Sequence, residues 1–324
     1  RSFAKKIKIP LYLNEEFSRL LGYLVGDGCI LPKANRCDLT NCDNEIIEDF
    51  IGISRQMGIE PFVYSKKSIT KTVALNSITL VKLLTNIFKN RIKKEQKNMP
   101  DIVMFSRKHV LANFLAALFD CDGTVRKDNP TFEYTTMSET LADQVQLALL
   151  RFGIVSRKIK KMKAATNTKN KIKKEYFYIT IEGKEKLEIF YKNIPLRCGH
   201  KRERLGKIIS KNVIPNTNND LIPQEVNQIV KQCTKLLGIE YKPLRKEHPW
   251  FAAYNENRCC PTRNGIIKAL NLFREKYSRL QSLQKDLKAD KSVLLEALKV
   301  MNIKRRYASE KTGLNRDAIN YSWV

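Results

Sequence analysis

The strongest constraint on this chain is a duplication. Residues 20–30 (LLGYLVGDGCI) and 114–125 (FLAALFDCDGTV) are apolar, small-residue-rich runs that both break off at Asp-Gly. Aligned there, Asp27 falls on Asp122 and Gly28 on Gly123, an offset of 122 − 27 = 95 residues. The same offset puts Gly22 on Ala117, Gly26 on Cys121 and Gly58-Ile59 on Gly153-Ile154. Landmarks that share one spacing identify an internal repeat.

Each copy predicts the same succession of elements. In the first, Asn14 offers an N-cap with Glu15 and Glu16 in the first turn. Phe17, Leu20, Leu21 and Leu24 then recur at helical spacing, so the segment reads as a helix with Gly28 as its C′ residue. Gly22 and Gly26 stand four apart on that helix. Each costs about 1 kcal/mol relative to Ala in a helix interior, so the pair points to close approach by a partner backbone. Strands are predicted at 29–33 and 36–40, a helix over 44–57, strands at 61–65 and 71–76, and a helix over 78–90. The second copy predicts a helix over 106–122, strands at 124–127 and 131–136, and a helix over 139–152. Strands at 155–163 and 176–182 and a helix over 184–192 complete it. Each half therefore reads αββαββα, and the fold class is α+β with two pseudo-symmetric halves.

Domain boundaries follow from texture. Residues 1–12 are a basic lead-in, 13–104 and 105–210 are the halves, and 211–224 is a polar linker bracketed by prolines. Residues 225–324 are expected to be mainly helical, with helices over 225–238, 265–285 and 291–301. The stretch 240–264 carries Pro243, Pro249 and Pro261 and is expected to be irregular. Residues 303–323 have the spacing of a helix-turn-helix, with a turn at Gly313, a cap at Asn315 and Ile319 directed to a core. Arg305, Arg306, Asn315 and Arg316 are its expected DNA contacts. A helical hairpin without DNA contact is the plainer alternative.

The net charge of +27, from 60 Lys plus Arg against 33 Asp plus Glu, calls for a polyanionic partner. An anionic membrane surface is a weaker candidate, because the longest apolar run, 111–119, is too short to span a bilayer. With no signal peptide ahead of the first helix, the chain is expected to work inside the cell, in cytoplasm or nucleoid. The eight cysteines form no C-x-x-C pair and read as reduced, mostly buried thiols. Cys198-x-His200 is a weak zinc signal.

The Asp-Gly ends carry the chemistry. A carboxylate at a helix C-terminus meets carbonyls that already bear partial negative charge. Two such ends side by side would also repel each other. The arrangement makes sense around hard divalent cations, which are held by carboxylates and phosphate oxygens and can activate water for phosphodiester hydrolysis.

This constellation resembles the LAGLIDADG homing endonucleases, specifically the intein-encoded type, over about residues 13–210. The resemblance implies that residues 20–28 and 115–123 are the two motif helices at the interface between halves. It also implies that two four-stranded sheets form a saddle over double-stranded DNA, and that the chain acts as a monomer. Asp27 and Asp122 fall at the catalytic position, with Mg²⁺ as cofactor, Mn²⁺ as an alternative, and Gly26 and Cys121 beside them in the metal shell. Lys97 of KNMP and, in the second half, Lys201 would act as general base or charge stabiliser. The chain starts with Arg1, and no His-Asn pair closes it, so self-splicing is not expected.

The segment 157–174 supports DNA binding independently, with nine Lys or Arg and no acid. Arg157, Lys158, Lys160, Lys161 and Lys163 are expected phosphate contacts, with Tyr176 and Tyr178 on the following strand. Arg36, Asp38, Thr72, Asn76, Glu133 and Thr135 are expected to read base edges. Two rivals remain. FDCDGTV also fits a haloacid-dehalogenase-type phosphatase with Asp120 as nucleophile and Asp122 as acid, although the repeat has Val25 in place of Asp120. Some LAGLIDADG proteins are instead inactive helix-turn-helix regulators or RNA maturases. On the endonuclease reading Asp120 is a bystander.

Overall fold

The computed structural model describes residues 6–67, 69–89, 96–127, 129–164, 173–210, 220–239 and 241–286. The predicted helix at 291–301 and the helix-turn-helix with Arg305, Arg306, Asn315 and Arg316 lie outside the described residues. The chain divides into two compact units, residues 1–217 and 218–324.

The first unit carries the repeat. Its first half runs α1 (Glu15–Gly26), β1 (Gly28–Leu31), β2 (Arg36–Asn41), α2 (Asn44–Gln56), β3 (Phe62–Lys67), β4 (Thr70–Asn76) and α3 (Ile78–Phe88). After the short α4 (Asp101–Met104) come α5 (Lys108–Asp122), β5 (Gly123–Val125), β6 (Thr131–Thr136), α6 (Glu139–Leu150), β7 (Arg157–Ala164), β8 (Lys173–Glu182), α7 (Lys184–Asn193) and α8 (Gly199–Ser210). The two antiparallel sheets have the same order, β1-β2-β4-β3 and β5-β6-β8-β7. This is the expected α+β architecture. The offset of 95 holds from α1 to the start of β3, since Phe62 corresponds to Arg157. Beyond the hairpin it becomes 182 − 76 = 106, because Asn76 and Glu182 pair with the equivalent residues Arg36 and Thr131. The second hairpin is thus longer by 106 − 95 = 11 residues.

Local chemistry explains the element ends. Asn14 accepts a hydrogen bond from the Phe17 amide at 3.0 Å, and Asp43 and Ser138 cap α2 and α6 in the same way. Gly58 and Gly153 end those helices at φ +76° and +79°, a region that favours glycine. Gly28 stands at C′ as expected, after the last helical residue Gly26 and the C-cap Asp27, but it lacks a positive φ and opens β1 directly. Glycine is needed there for space, because a Cβ would lie 2.3 Å from the Leu24 Cα.

Helices α1 and α5 pack against each other at the centre of one continuous apolar core. A Cβ on Gly22 would sit 2.6 Å from the Phe114 carbonyl oxygen, and one on Gly26 would sit 2.6 Å from the Cys121 Cβ. The glycines therefore set how near the helices come. The apolar stripe of α1 understates its burial, since every residue from Phe17 to Gly26 is buried. Even Arg19 is enclosed, ion-paired to Asp49 at 3.2 Å, and Asp49 also accepts from the Tyr23 hydroxyl at 2.8 Å.

The second unit holds α9 (Val226–Leu236), α10 (Tyr241–Glu247), α11 (Pro249–Asn255) and α12 (Arg263–Asp286) around Val230, Phe251, Tyr254, Ala269 and Phe273. The irregular stretch expected over 240–264 is in large part helical. Pro243 and Pro249 both fall in the first turn of a helix, where a missing N–H removes no intrahelical bond.

Candidate functional site

The two carboxylates stand where a central helix gives way to the first strand of a sheet. Asp27 caps α1, its amide donating to the Tyr23 carbonyl at 3.0 Å. Its Oδ2 accepts from the Asn41 side-chain amide at 2.7 Å. Asp122 is the last residue of α5. Gly123 follows it for the reason Gly28 follows Asp27, because a Cβ there would lie 2.3 Å from the Phe119 carbonyl oxygen.

Asp122 feels the charge of Asp27. Burial, and then the charge of Asp27, push the Asp122 carboxyl up to about 6, against the pull of Lys97 and Lys201. The Cys121 thiol, between them on the helix interface, is raised well above its ordinary value by burial and by both carboxylates. A buried carboxyl raised by burial and by a neighbouring carboxylate fits a divalent cation, which would reverse the penalty by supplying positive charge. Asp27 and Asp122 are the residues that would hold it.

Each helix end also receives a lysine from a distant segment. Lys97 Nζ donates to the Gly26 carbonyl, one residue before Asp27. Lys201 Nζ donates to the Phe119 carbonyl at 3.1 Å and to that of Asp120, two residues before Asp122. The Gly26 carbonyl, expected in the metal shell, is thus engaged by Lys97. Both lysines lie close enough to lower the proton affinity of Asp122. Their segments are held crosswise. Ser138, capping α6 in the second half, donates from its hydroxyl to the Lys97 carbonyl at 2.6 Å. Asp43, its counterpart capping α2 in the first half, accepts from the Cys198 thiol at 3.1 Å.

Asp120 is more than a bystander. Its side chain is 1% exposed, and its two oxygens accept the amides of Arg197 at 2.9 Å and Cys198 at 3.1 Å. It fastens the segment leading to α8, which carries Lys201. Burial is the main reason its carboxyl is raised to about 6. A carboxylate enclosed in this way, inside a helix, is not presented for attack on a phosphate, which removes the phosphatase reading. Helix α8 itself was absent from the sequence expectations. Its signals are the Glu203/Lys207 pair at i, i+4 and the apolar Leu205, Ile208 and Ile209.

The register sorts the expected base and phosphate contacts by face. Cys37, Leu39, Val73 and Leu75 turn to the core, so Arg36, Asp38, Thr72 and Asn76 share the opposite face of their sheet. Arg36 is ion-paired to Asp38 at 2.9 Å, and Thr72 meets Thr40 at 3.0 Å. In the second sheet Phe132, Tyr134, Ile179 and Ile181 face the core. Glu133, Thr135, Tyr176 and Tyr178 therefore face away, with Arg157, Lys161 and Lys163 opposite Thr180, Tyr176 and Lys174. Lys161 lies over the Tyr178 ring at 5.1 Å, and Arg126 pairs with Glu133 at 2.8 Å. Lys158 and Lys160 fall on the core-facing side, opposite Ile179 and Phe177. There they pair with Asp143 and with Glu175.

Comparison with known proteins gives a family match within the second half. Residues 109–195 form a LAGLIDADG-like domain. Over 324 residues, 97% of this chain, the sequence is 27% identical to the replication factor C small subunit of Methanocaldococcus jannaschii, covering 16% of it. It is 28% identical over 275 residues, 83% of this chain, to the probable translation initiation factor IF-2 of the same organism, covering 22% of it. The chain thus spans about a fifth or less of the length of these curated relatives. Among solved structures, a mesophilic variant of the homing endonuclease I-DmoI aligns at TM-score 0.40 and 14% identity, over 56% of this chain and 94% of that one. Full-length WhiA from Thermatoga maritima aligns at TM-score 0.43 and 16% identity, over 92% and 94%. Among the described residues, no helix is long and apolar enough to cross a membrane.

Proposed function

We propose that the protein is a homing endonuclease of the intein-encoded type, acting as a monomer to make a metal-dependent double-strand break in a long DNA target. The observation that carries this reading is the paired site: two carboxylates at the ends of the packed helices, one raised by the charge of the other, each helix end with its own lysine. One carboxylate–lysine set per half matches a substrate with two scissile strands.

Asp27 and Asp122 would hold Mg²⁺ or Mn²⁺, which when bound supplies a polarised water and charge neutralisation at the scissile phosphate. Lys97 and Lys201, anchored on the carbonyls of the last helical turn, hold positive charge where the phosphate would enter. The outward faces of the two sheets form the DNA-binding surface. Arg157, Lys161 and Lys163 meet phosphates there, and Arg36, Asn76, Glu133 and Thr135 face base edges. Insertion into unrelated host genes accounts for relatives whose names describe a replication factor and an initiation factor, each matched over a minor part of its length.

The test is a linearisation assay with Mg²⁺ on plasmid DNA bearing the uninterrupted allele of the flanking gene. Asp27→Asn and Asp122→Asn should each abolish cutting while gel-shift binding persists. Binding by the wild-type protein without cutting would favour the inactive regulator, and undiminished cutting by either variant would refute the site.

A further inference from the structure

Away from the carboxylate pair, the structure brings together three side chains that the proposed cleavage chemistry does not use. They are Asp43 at the start of α2, and Cys198 and His200 at the start of α8. Cys198 Sγ lies 3.1 Å from Asp43 Oδ2 and 3.1 Å from His200 Nδ1, and His200 Nδ1 lies 3.4 Å from the same Asp43 oxygen. Among the described residues no other group of three or more His, Cys, Asp or Glu side chains is so placed.

We propose that Asp43, Cys198 and His200 form a zinc(II) site that clasps the first half of the repeat to the second. Thiolate, imidazole and carboxylate are the donors zinc prefers, and bonds of about 2.0–2.3 Å in tetrahedral geometry space the ligand atoms by roughly 3.3–3.6 Å. The observed triangle needs to open by only a few tenths of an ångström. Binding transfers the Cys198 thiol proton to solvent, and water completes the fourth position.

Two features argue for a metal over a chance cluster of polar groups. The first is support around the ligands. Asp43 Oδ1 is fixed by the Glu45 amide at 2.9 Å, leaving Oδ2 turned to the cluster. The Glu45 carboxylate accepts the Gly199 amide between the two α8 ligands, and Asp120 accepts that of Cys198. Metal ligands are typically oriented by such outer bonds. The second is the broken symmetry. At the equivalent place in the other half, Ser138 performs the same tethering with a plain hydroxyl hydrogen bond. Tethering alone does not call for a thiol, an imidazole and a carboxylate.

The test uses cobalt(II) as a spectroscopic stand-in on the metal-stripped full chain, followed by displacement with zinc. One equivalent of cobalt should give a sulfur-to-metal charge-transfer band with intense tetrahedral d–d bands, and one equivalent of zinc should abolish them. Cys198→Ser should lose the charge-transfer band. His200→Ala and Asp43→Asn should weaken binding by more than the roughly 10- to 100-fold that loss of an outer-sphere bond costs. His200 is 59% exposed and Asn still caps a helix, so these two variants keep the fold if Cys198→Ser does not. A Cys29→Ser/Cys42→Ser protein should bind as wild type. Absence of the band, or its persistence in His200→Ala and Cys198→Ser, would overturn the proposal. Asp27→Asn/Asp122→Asn should keep the site intact, so the outcome is independent of whether the protein cuts DNA.

Discussion

Lys97 reaches across 71 residues of chain to donate to the carbonyl of Gly26, the residue immediately before Asp27. Lys201 makes the corresponding bond to the last turn of α5, 81 residues away. A cation at a helix C-terminus gains from the carbonyl dipoles, and here it also stands beside a carboxylate that a phosphodiester would approach. Lys97→Met and Lys201→Met should each slow cleavage by about 100-fold or more, the usual scale for a lost proton-transfer or charge-stabilising group. Single-turnover assays with excess enzyme should show this while gel-shift affinity stays within a few-fold. An unchanged rate would reduce the lysines to helix caps.

The site's acid–base balance gives a pH signature. In the folded chain without metal, Asp122 binds its proton up to about pH 6, whereas an unfolded Asp releases it near 3.8. The native state therefore holds more protons between those values, and this group's contribution to stability falls as pH rises from about 4 to about 6. A cation bound at the carboxylates competes with that proton. The rise in Tm on adding Mg²⁺ should be large at pH 7.5, shrink as pH falls through 6, and vanish in Asp122→Asn. A Mg²⁺ shift independent of pH would place the cation elsewhere.

Glycine positions separate packing from propensity. Gly22 faces the Phe114 carbonyl and Ala117 with no room for a Cβ, so Gly22→Ala should cost about 1–3 kcal/mol through overpacking. Gly52 lies inside α2 with nothing within 4 Å of an added Cβ. Gly52→Ala should instead stabilise by up to about 1 kcal/mol, the helix-propensity difference. Denaturant melts of the two variants should move in opposite directions.

The repeat made the core of the fold legible, because periodicity, caps and the offset of 95 all report local constraints. Both αββαββα halves and the convergence of Asp27 and Asp122 followed from it. What stayed hidden was carried by long-range contacts. The enclosure of Arg19 depends on Asp49, 30 residues away, and nothing local to α1 signals it. The role of Asp120 depends on two amides 77 and 78 residues further on. The facing of Lys158 and Lys160 is a matter of register, which a run of consecutive basic residues does not reveal. The helical content of 240–264 was masked by prolines whose harmlessness depends on falling in a first turn.

Asp120 should behave as a positioning residue. Asn at this place can accept one of the two backbone amides and leaves the other unsatisfied, at a cost of about 1–3 kcal/mol. Asp120→Asn should therefore lower the melting temperature and reduce kcat for cleavage without abolishing it, unlike Asp122→Asn. It should also blunt the further effect of Lys201→Met, because both act through the same segment. Additive effects in that double-mutant cycle would separate the two residues.

The faces of β7 allow DNA contact to be tested within one strand. Arg157, Lys161 and Lys163 share the outward side with Tyr176 and Tyr178, whereas Lys158 and Lys160 are ion-paired on the other side. Each phosphate contact contributes about 0.9 to the slope of log affinity against log salt. Replacing Arg157, Lys161 and Lys163 by Ala should therefore reduce the slope by about 2.7 and weaken binding to all sequences alike. Lys158→Ala/Lys160→Ala should leave the slope unchanged, and any loss there should appear as stability, because Asp143 and Glu175 would lose their partners. Equal slope changes from the two sets would mean that the hairpin attracts DNA through net charge alone, with no face preferred.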